Sequence, residues 1–243
     1  MTRRPLLEMS VETLDAAIAA ARGGADRIEL CENLSVGGVT PRTELMQQTR
    51  AQVRIPIFAM IRTRGGDFHY SAAEFAEMKA HVEFAKLAHM DGVVLGILTP
   101  DRRVDIERSA ELAELADPLP MTFHRAFDEL KDLQMGLEDV ISTGAKRLLT
   151  SGGAPTAAEG AGALAGLLRQ AGGRITILPG GGIRPGNLRT IAREARAREF
   201  HSGLSNLLPS SGRGHGDFEA GVRELVKLLE EEARDFEPAP RAG

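Results

Sequence analysis

An Arg, a Glu and the only Cys of the chain occupy alternate positions in Arg27-Ile28-Glu29-Leu30-Cys31. In a strand, residues two apart share a face, so Arg27, Glu29 and Cys31 look one way while Ile28 and Leu30 look the other. Buried charge is costly unless paired, and such a face therefore needs ion-pair partners or a ligand. Other short apolar runs end in the same manner. Glu8 and Ser10, Arg62 and Arg64, His124 and Arg125, Thr150 and Ser151, Gly180-Gly181-Gly182, and Glu199 and His201 all stand where such a run closes.

These residue types suit acid–base work on an anion. Glu8, Glu29 and Glu199 are candidate general bases, and His124 or His201 a candidate acid. Arg62, Arg64 and Arg125 supply positive charge, with Asp67 and Asp128 expected to orient them. The glycines Gly180, Gly181 and Gly182 can present backbone N–H groups to a phosphate, with Arg184 adding a charge and Ser202 a hydroxyl. The same turn also serves as a tight strand-to-helix connection. Together the set fits proton transfer or carbon–carbon bond chemistry on a small anionic substrate, phosphorylated or not. The competing reading is a ring of ion pairs that only satisfy one another. A Schiff-base aldolase is not expected, because Lys146 precedes the sixth apolar run instead of following it. His69, His81, His89 and His215 lack metal-ligand spacing, and no zinc motif is present.

The elements that must position these groups follow from the alternation of short apolar runs with amphipathic stretches. Strands are predicted at 6–9, 27–30, 57–61, 92–95, 121–123, 147–150, 175–179 and 199–201. Ser10 is the expected N-cap of the first helix and Gly23-Gly24 its stop. The second helix is expected to open at Thr40-Pro41. Ser71 with Glu74 and Thr156 with Glu159 match capping boxes. Leu130, Leu133, Leu137, Val140 and Ile141 stripe the fifth helix, and a last helix is expected over about 217–234. Eight strand-plus-helix units with no internal linker predict a single-domain (β/α)8 TIM barrel over residues 1–236, with 237–243 as a disordered tail. No Gly-rich dinucleotide fingerprint follows the first strand, which argues against an open doubly wound sheet. In such a barrel, function sits where the strands end.

Composition narrows the partners. A net charge of -4 over 243 residues gives no general attraction to nucleic acid or anionic membranes. With no Trp and one Tyr, a stacking platform for single strands is not expected. The run Arg189, Arg193, Arg196 and Arg198 reads as a solvated helix face, with Glu194 and Arg198 spaced as a helical pair. One Cys rules out an intrachain disulfide and suits a reducing compartment. The amino terminus meets Glu8 before any apolar run forms, and no run approaches the ~20 apolar residues of a membrane helix. The expectation is a cytoplasmic protein.

Several blocks, taken in order, resemble the copper homeostasis protein CutC family. They are Gly24 to Cys31, Gly37-Gly38-Val39-Thr40-Pro41, Ile61 to Phe68, Thr122 to Asp128, Leu149 to Gly152, Pro179 to Ile183 and Glu199 to Ser202. The resemblance implies a (β/α)8 barrel, a cytoplasmic homo-oligomer and a role in copper handling, with copper ion as partner. Copper binding in that family is ascribed to two Cys. Here Cys31 keeps the second position, while Ser10 stands at the first. Cys31 is thus the metal candidate for Cu(I), which prefers thiolate and thioether ligands, and a hydroxyl at Ser10 is a hard substitute. Thr63 replaces the Pro of the family's Arg-Pro-Arg block, and the stretch after His201 is shorter than usual. Three functions remain in view: copper homeostasis, an enzyme acting on a small anion, and a structural or partner-binding role.

Overall fold

A computed structural model describes residues 4–204, 207 and 215–235. Eight strands alternate with eight helices: β1 (Leu6–Val11), α1 (Leu14–Gly23), β2 (Arg27–Leu30), α2 (Thr43–Gln52), β3 (Ile57–Met60), α3 (Ala72–Leu87), β4 (Gly92–Leu95), α4 (Ile106–Ala116), β5 (Met121–Phe123), α5 (Leu133–Ser142), β6 (Arg147–Thr150), α6 (Ala161–Ala171), β7 (Thr176–Pro179), α7 (Pro185–Ala195), β8 (Glu199–Ser202) and α8 (Gly216–Asp235). All paired strands are parallel, in the order β7-β6-β5-β4-β3-β2-β1-β8. The two ends of this sheet come round to meet. A Cβ on Gly180, just past β7, would lie 3.1 Å from the Cβ of His201 in β8. Ser202 Oγ also donates to the Ile183 carbonyl across the junction at 2.7 Å. The predicted TIM barrel is therefore the observed fold. The tail at 237–243 lies outside the described residues.

Strand residues divide by parity. Leu7, Met9, Ile28, Leu30 and Ile57 point outward into the main apolar core beneath the helices. Glu8, Ser10, Arg27, Glu29 and Cys31 point inward, as alternation requires, and all five are buried. Near the amino ends of the strands the interior is filled by Phe58. Its ring lies against the guanidinium groups of Arg27, at 5.0 Å, and Arg147, at 4.8 Å. Gly92 makes room for it, since a Cβ there would sit 2.5 Å from the ring.

Several local expectations change. Ser10 is not a helix cap: β1 runs on to Val11, Ser10 turns into the barrel, and Thr13 caps α1 by accepting from Ala16 N at 3.2 Å. Helix α2 opens at Thr43, two residues past Pro41. The Ser71–Glu74 capping box forms. The Thr156–Glu159 pair also forms, but in a turn ahead of α6. Leu130 precedes α5 and joins its core contacts from there. Because α7 stops at Ala195, Glu194 and Arg198 do not share a helix. Arg189 and Arg193 instead pair with Glu232 of α8, at 3.0 and 2.9 Å, which ties the last two helices together. Among the described residues, no helix is long and apolar enough to cross a membrane.

Removing the ring that plugs the barrel should be expensive. Phe58→Ala is expected to lower stability by about 3–5 kcal/mol in urea denaturation. A loss below about 1 kcal/mol would show that the two guanidinium groups close the floor without it.

Candidate functional site

The interior polar groups form two tiers. In the lower one, Arg27 is the hub. Its Nε donates to Glu8 Oε2, and its Nη2 donates to Glu199 Oε2 at 2.5 Å. Arg147 Nε lies 3.3 Å from the same Glu199 oxygen. Glu199 was expected at the carboxyl end of its strand and is instead at the amino end. It opens β8 and stands in register with Leu6, the first residue of β1. Its carboxylate is held within the ion-pair network and does not line the chamber above.

The upper tier begins with three buried groups from neighbouring strands. His201 Nδ1 lies 2.7 Å from Glu8 Oε1 and 3.5 Å from Glu29 Oε2. Burial favours a neutral Glu8, yet the charge of Arg27 and the contact with His201 outweigh it and hold the carboxyl down at about 2. Glu29 goes the other way. Burial, with the Glu8 charge adding to it, raises Glu29 to about 7 against the pull of His201 and Arg27. Burial alone would lower His201, but Glu29 and Glu8 raise it. Glu29 Oε2 has no hydrogen-bond partner.

Above this trio the barrel opens into a chamber of about 680 Å³. Glu29, His201, His124, Arg62, Arg125 and Met60 are among its walls, together with Gly181 and Gly182. His124 Nδ1 accepts from Ala126 N at 3.2 Å, so the proton of the neutral ring sits on Nε2. That Nε2 is buried and unpartnered. Burial, reinforced by the charge of Arg62, lowers His124 to about 3, which keeps the ring neutral.

The cationic residues expected to bind an anion fare differently. Arg62 donates to the carbonyls of Val36, Gly38 and Gly66 and lies over the Phe68 ring at 4.7 Å, so it pins two loops. Arg64 turns away to Asp67 and Glu74 and is not part of the chamber wall. Arg125 is held by Asp128 at 2.8 Å and Ser151 Oγ at 2.9 Å, and its guanidinium comes within 3.2 Å of where a Gly181 Cβ would be. The expected orienting roles of Asp67 and Asp128 are thus seen in the hydrogen bonds. Gly180 is a packing residue, because a Cβ there would meet Leu149 at 2.5 Å. Gly181 and Gly182 need positive φ, +99° and +70°. Arg184 is the N-cap residue of α7 and lies outside the chamber wall. The Ser202 hydroxyl is committed to the Ile183 carbonyl.

Cys31 is fully buried, with Sγ 3.5 Å from the Val11 carbonyl and 3.7 Å from Ser10 Oγ. Burial, then the charge of Glu29, pushes its thiol well above the ordinary range. Met60 shares a small buried cluster with Cys31, Phe58 and Val94. Sequence reasoning passed over Met60 and Phe68. The signal for Met60 was present in the alternation Phe58, Met60, Arg62, which carries one face from floor to mouth. Phe68, whose ring lies 4.9 Å from that of His124, comes from a loop and had none.

A model of the CutC family matches residues 5–206. A family protein CutC of Chromobacterium violaceum is 46% identical over 226 residues, 91% of this chain and 92% of that one. The human copper homeostasis protein cutC homolog is 47% identical over 196 residues, 81% of this chain and 72% of that one. Among solved structures, CutC from Streptococcus agalactiae is 31% identical and superposes with a TM-score of 0.77 over 82% of this chain and 98% of that one.

The two tiers should respond oppositely to mutation. Glu8→Gln removes one of the two carboxylates that hold Arg27, together with the ionised partner of His201, and with Glu199 still in place is expected to cost about 3 kcal/mol near neutral pH. Glu29→Gln should cost about 1 kcal/mol or less, or stabilise. Because the folded chain holds Glu29 at about 7 against an ordinary 4.5, native stability drops as pH rises through that window. The Gln variant lacks that drop. Chemical denaturation of both variants at pH 5 and pH 8 checks this, and a large loss for Glu29→Gln at both would place Glu29 in the structural network.

Proposed function

The chain belongs to the CutC family, and from that premise we propose that it serves copper homeostasis, with Cu(I) as cargo and Cys31 as the thiolate that takes it. The name of the human relative supports the role. The observation that carries the site is that the only thiol of the chain shares a buried cluster with the Met60 thioether, itself part of the chamber wall. Thiolate and thioether together are the donor set that Cu(I) selects. Two features keep the affinity low. The thiol must lose a proton that burial and Glu29 help it keep, and Ser10 offers a hydroxyl as its neighbour. Anaerobic titration against a Cu(I) competitor should show weak binding that is lost in Cys31→Ser and reduced in Met60→Leu. Tight binding that survives Cys31→Ser would overturn the assignment.

One observation favours a second reading, acid–base chemistry on a small anionic molecule. His124 is held neutral with its Nε2–H unpartnered at the chamber wall. A neutral imidazole in that state donates a hydrogen bond to a ligand oxygen without surrendering its proton. Arg125 and the Gly181-Gly182 turn stand on the same wall to receive negative charge. A ligand that binds only the folded state raises the melting temperature by mass action. Inorganic phosphate or a sugar phosphate at millimolar concentration should therefore raise Tm in the native chain, and less so in Arg125→Gln. An unchanged Tm counts against a phosphorylated ligand.

A further inference from the structure

We propose that Glu8, Glu29 and His201 form a binding site for a divalent first-row transition metal ion at the base of the chamber, separate from Cys31. One donor atom from each of the three residues lies within 4.8 Å of the others, and all three side chains are buried. The 2.7 Å and 3.5 Å separations of His201 Nδ1 from the two carboxylates suit ligands that converge on one centre. Metal–oxygen and metal–nitrogen bonds of about 2.0–2.2 Å would span them with small side-chain movements.

Two observations beyond the cluster point to a ligand. Glu29 Oε2 is buried without a hydrogen-bond partner, although buried carboxylate oxygens are normally satisfied. Glu29 and His201 also line the chamber, so an ion held between them keeps a coordination position open to it. A third feature makes the site firm. Arg27 holds the other oxygen of Glu8, as an outer hydrogen bond does for a metal-bound carboxylate, and shares its charge with Glu199.

The donor set selects the ion. One imidazole and two carboxylates, with no sulfur, suit Zn²⁺, Co²⁺, Fe²⁺, Mn²⁺ or Cu²⁺ and disfavour Cu(I). The site is therefore independent of the copper(I) reading, and either can fail without the other.

The test is titration of the metal-stripped chain with Co²⁺, followed by visible absorption, and with Zn²⁺ by calorimetry. Wild type should bind about one equivalent of either ion. Glu29→Gln and His201→Gln should each weaken binding at least about tenfold, while Cys31→Ser leaves it unchanged. Circular dichroism and denaturation establish that each variant is folded, and if His201→Gln is not, Glu29→Gln decides alone. No binding by wild type at high micromolar ion overturns the proposal. So does binding that folded Glu29→Gln retains in full.

Discussion

The guanidinium of Arg27 is the contact on which the interior depends. It joins the carboxylates of Glu8 and Glu199, from the neighbouring strands β1 and β8, and lies over the Phe58 ring from β3. Desolvating so many charges is unfavourable unless each has a partner, and the ladder Arg147–Glu199–Arg27–Glu8 supplies them in turn. A TIM barrel more often fills this region with branched aliphatic side chains. Here the floor is ionic, and its ionic character reaches upward. By holding Glu8 ionised, Arg27 lets it add to the burial that raises Glu29 and to the Glu29 charge that raises His201.

Satisfaction of the carboxylates thereby falls from floor to chamber, although Arg147 Nη1 is an unpartnered donor at the floor itself. At the floor, the Glu8 and Glu199 carboxylates are both engaged by guanidinium groups. One layer up, Glu29 has an oxygen without a hydrogen bond, and at the wall His124 has a nitrogen in the same condition. Both readings raised by the sequence, the ion-pair ring and the open cavity, are therefore present, one stacked on the other. Arg62 shows how a residue can stand at the mouth yet serve the scaffold, since its terminal nitrogens are spent on loop carbonyls.

The strands and the barrel were legible because buried parallel strands are short apolar runs of fixed spacing, and the polar parity of Arg27, Glu29 and Cys31 survived folding intact. What misled was the end of each run. A Ser after a strand signals a helix cap as readily as an inward-facing strand residue, and Ser10 is the latter. Parity of two holds only while the strand lasts: β3 stops at Met60, so Arg62 still faces the chamber but Arg64 has swung out to Glu74. Glu199 failed differently: it opens a four-residue strand, and chain direction puts His201, two positions on and facing the same way, nearer the carboxyl end. The meeting of Glu8, Glu29 and His201 required the pairing of β8 with β1, which brings together Glu8 and His201 although 193 positions separate them.

The junction of β7 and β8 carries a mechanical meaning. Seven of the barrel's strand contacts are backbone ladders, and this one, among the described residues, is fastened by the tight apposition of Gly180 with His201 and by the Ser202 hydroxyl on Ile183. At this joint, among the described residues, no backbone ladder has to break for the ring to part. The residues flanking that joint include a wall of the chamber and the imidazole at its base. Parting of the ring at that joint would widen the path to the His201 imidazole without breaking a strand ladder, so that access to the interior and integrity of the shell are governed by different bonds.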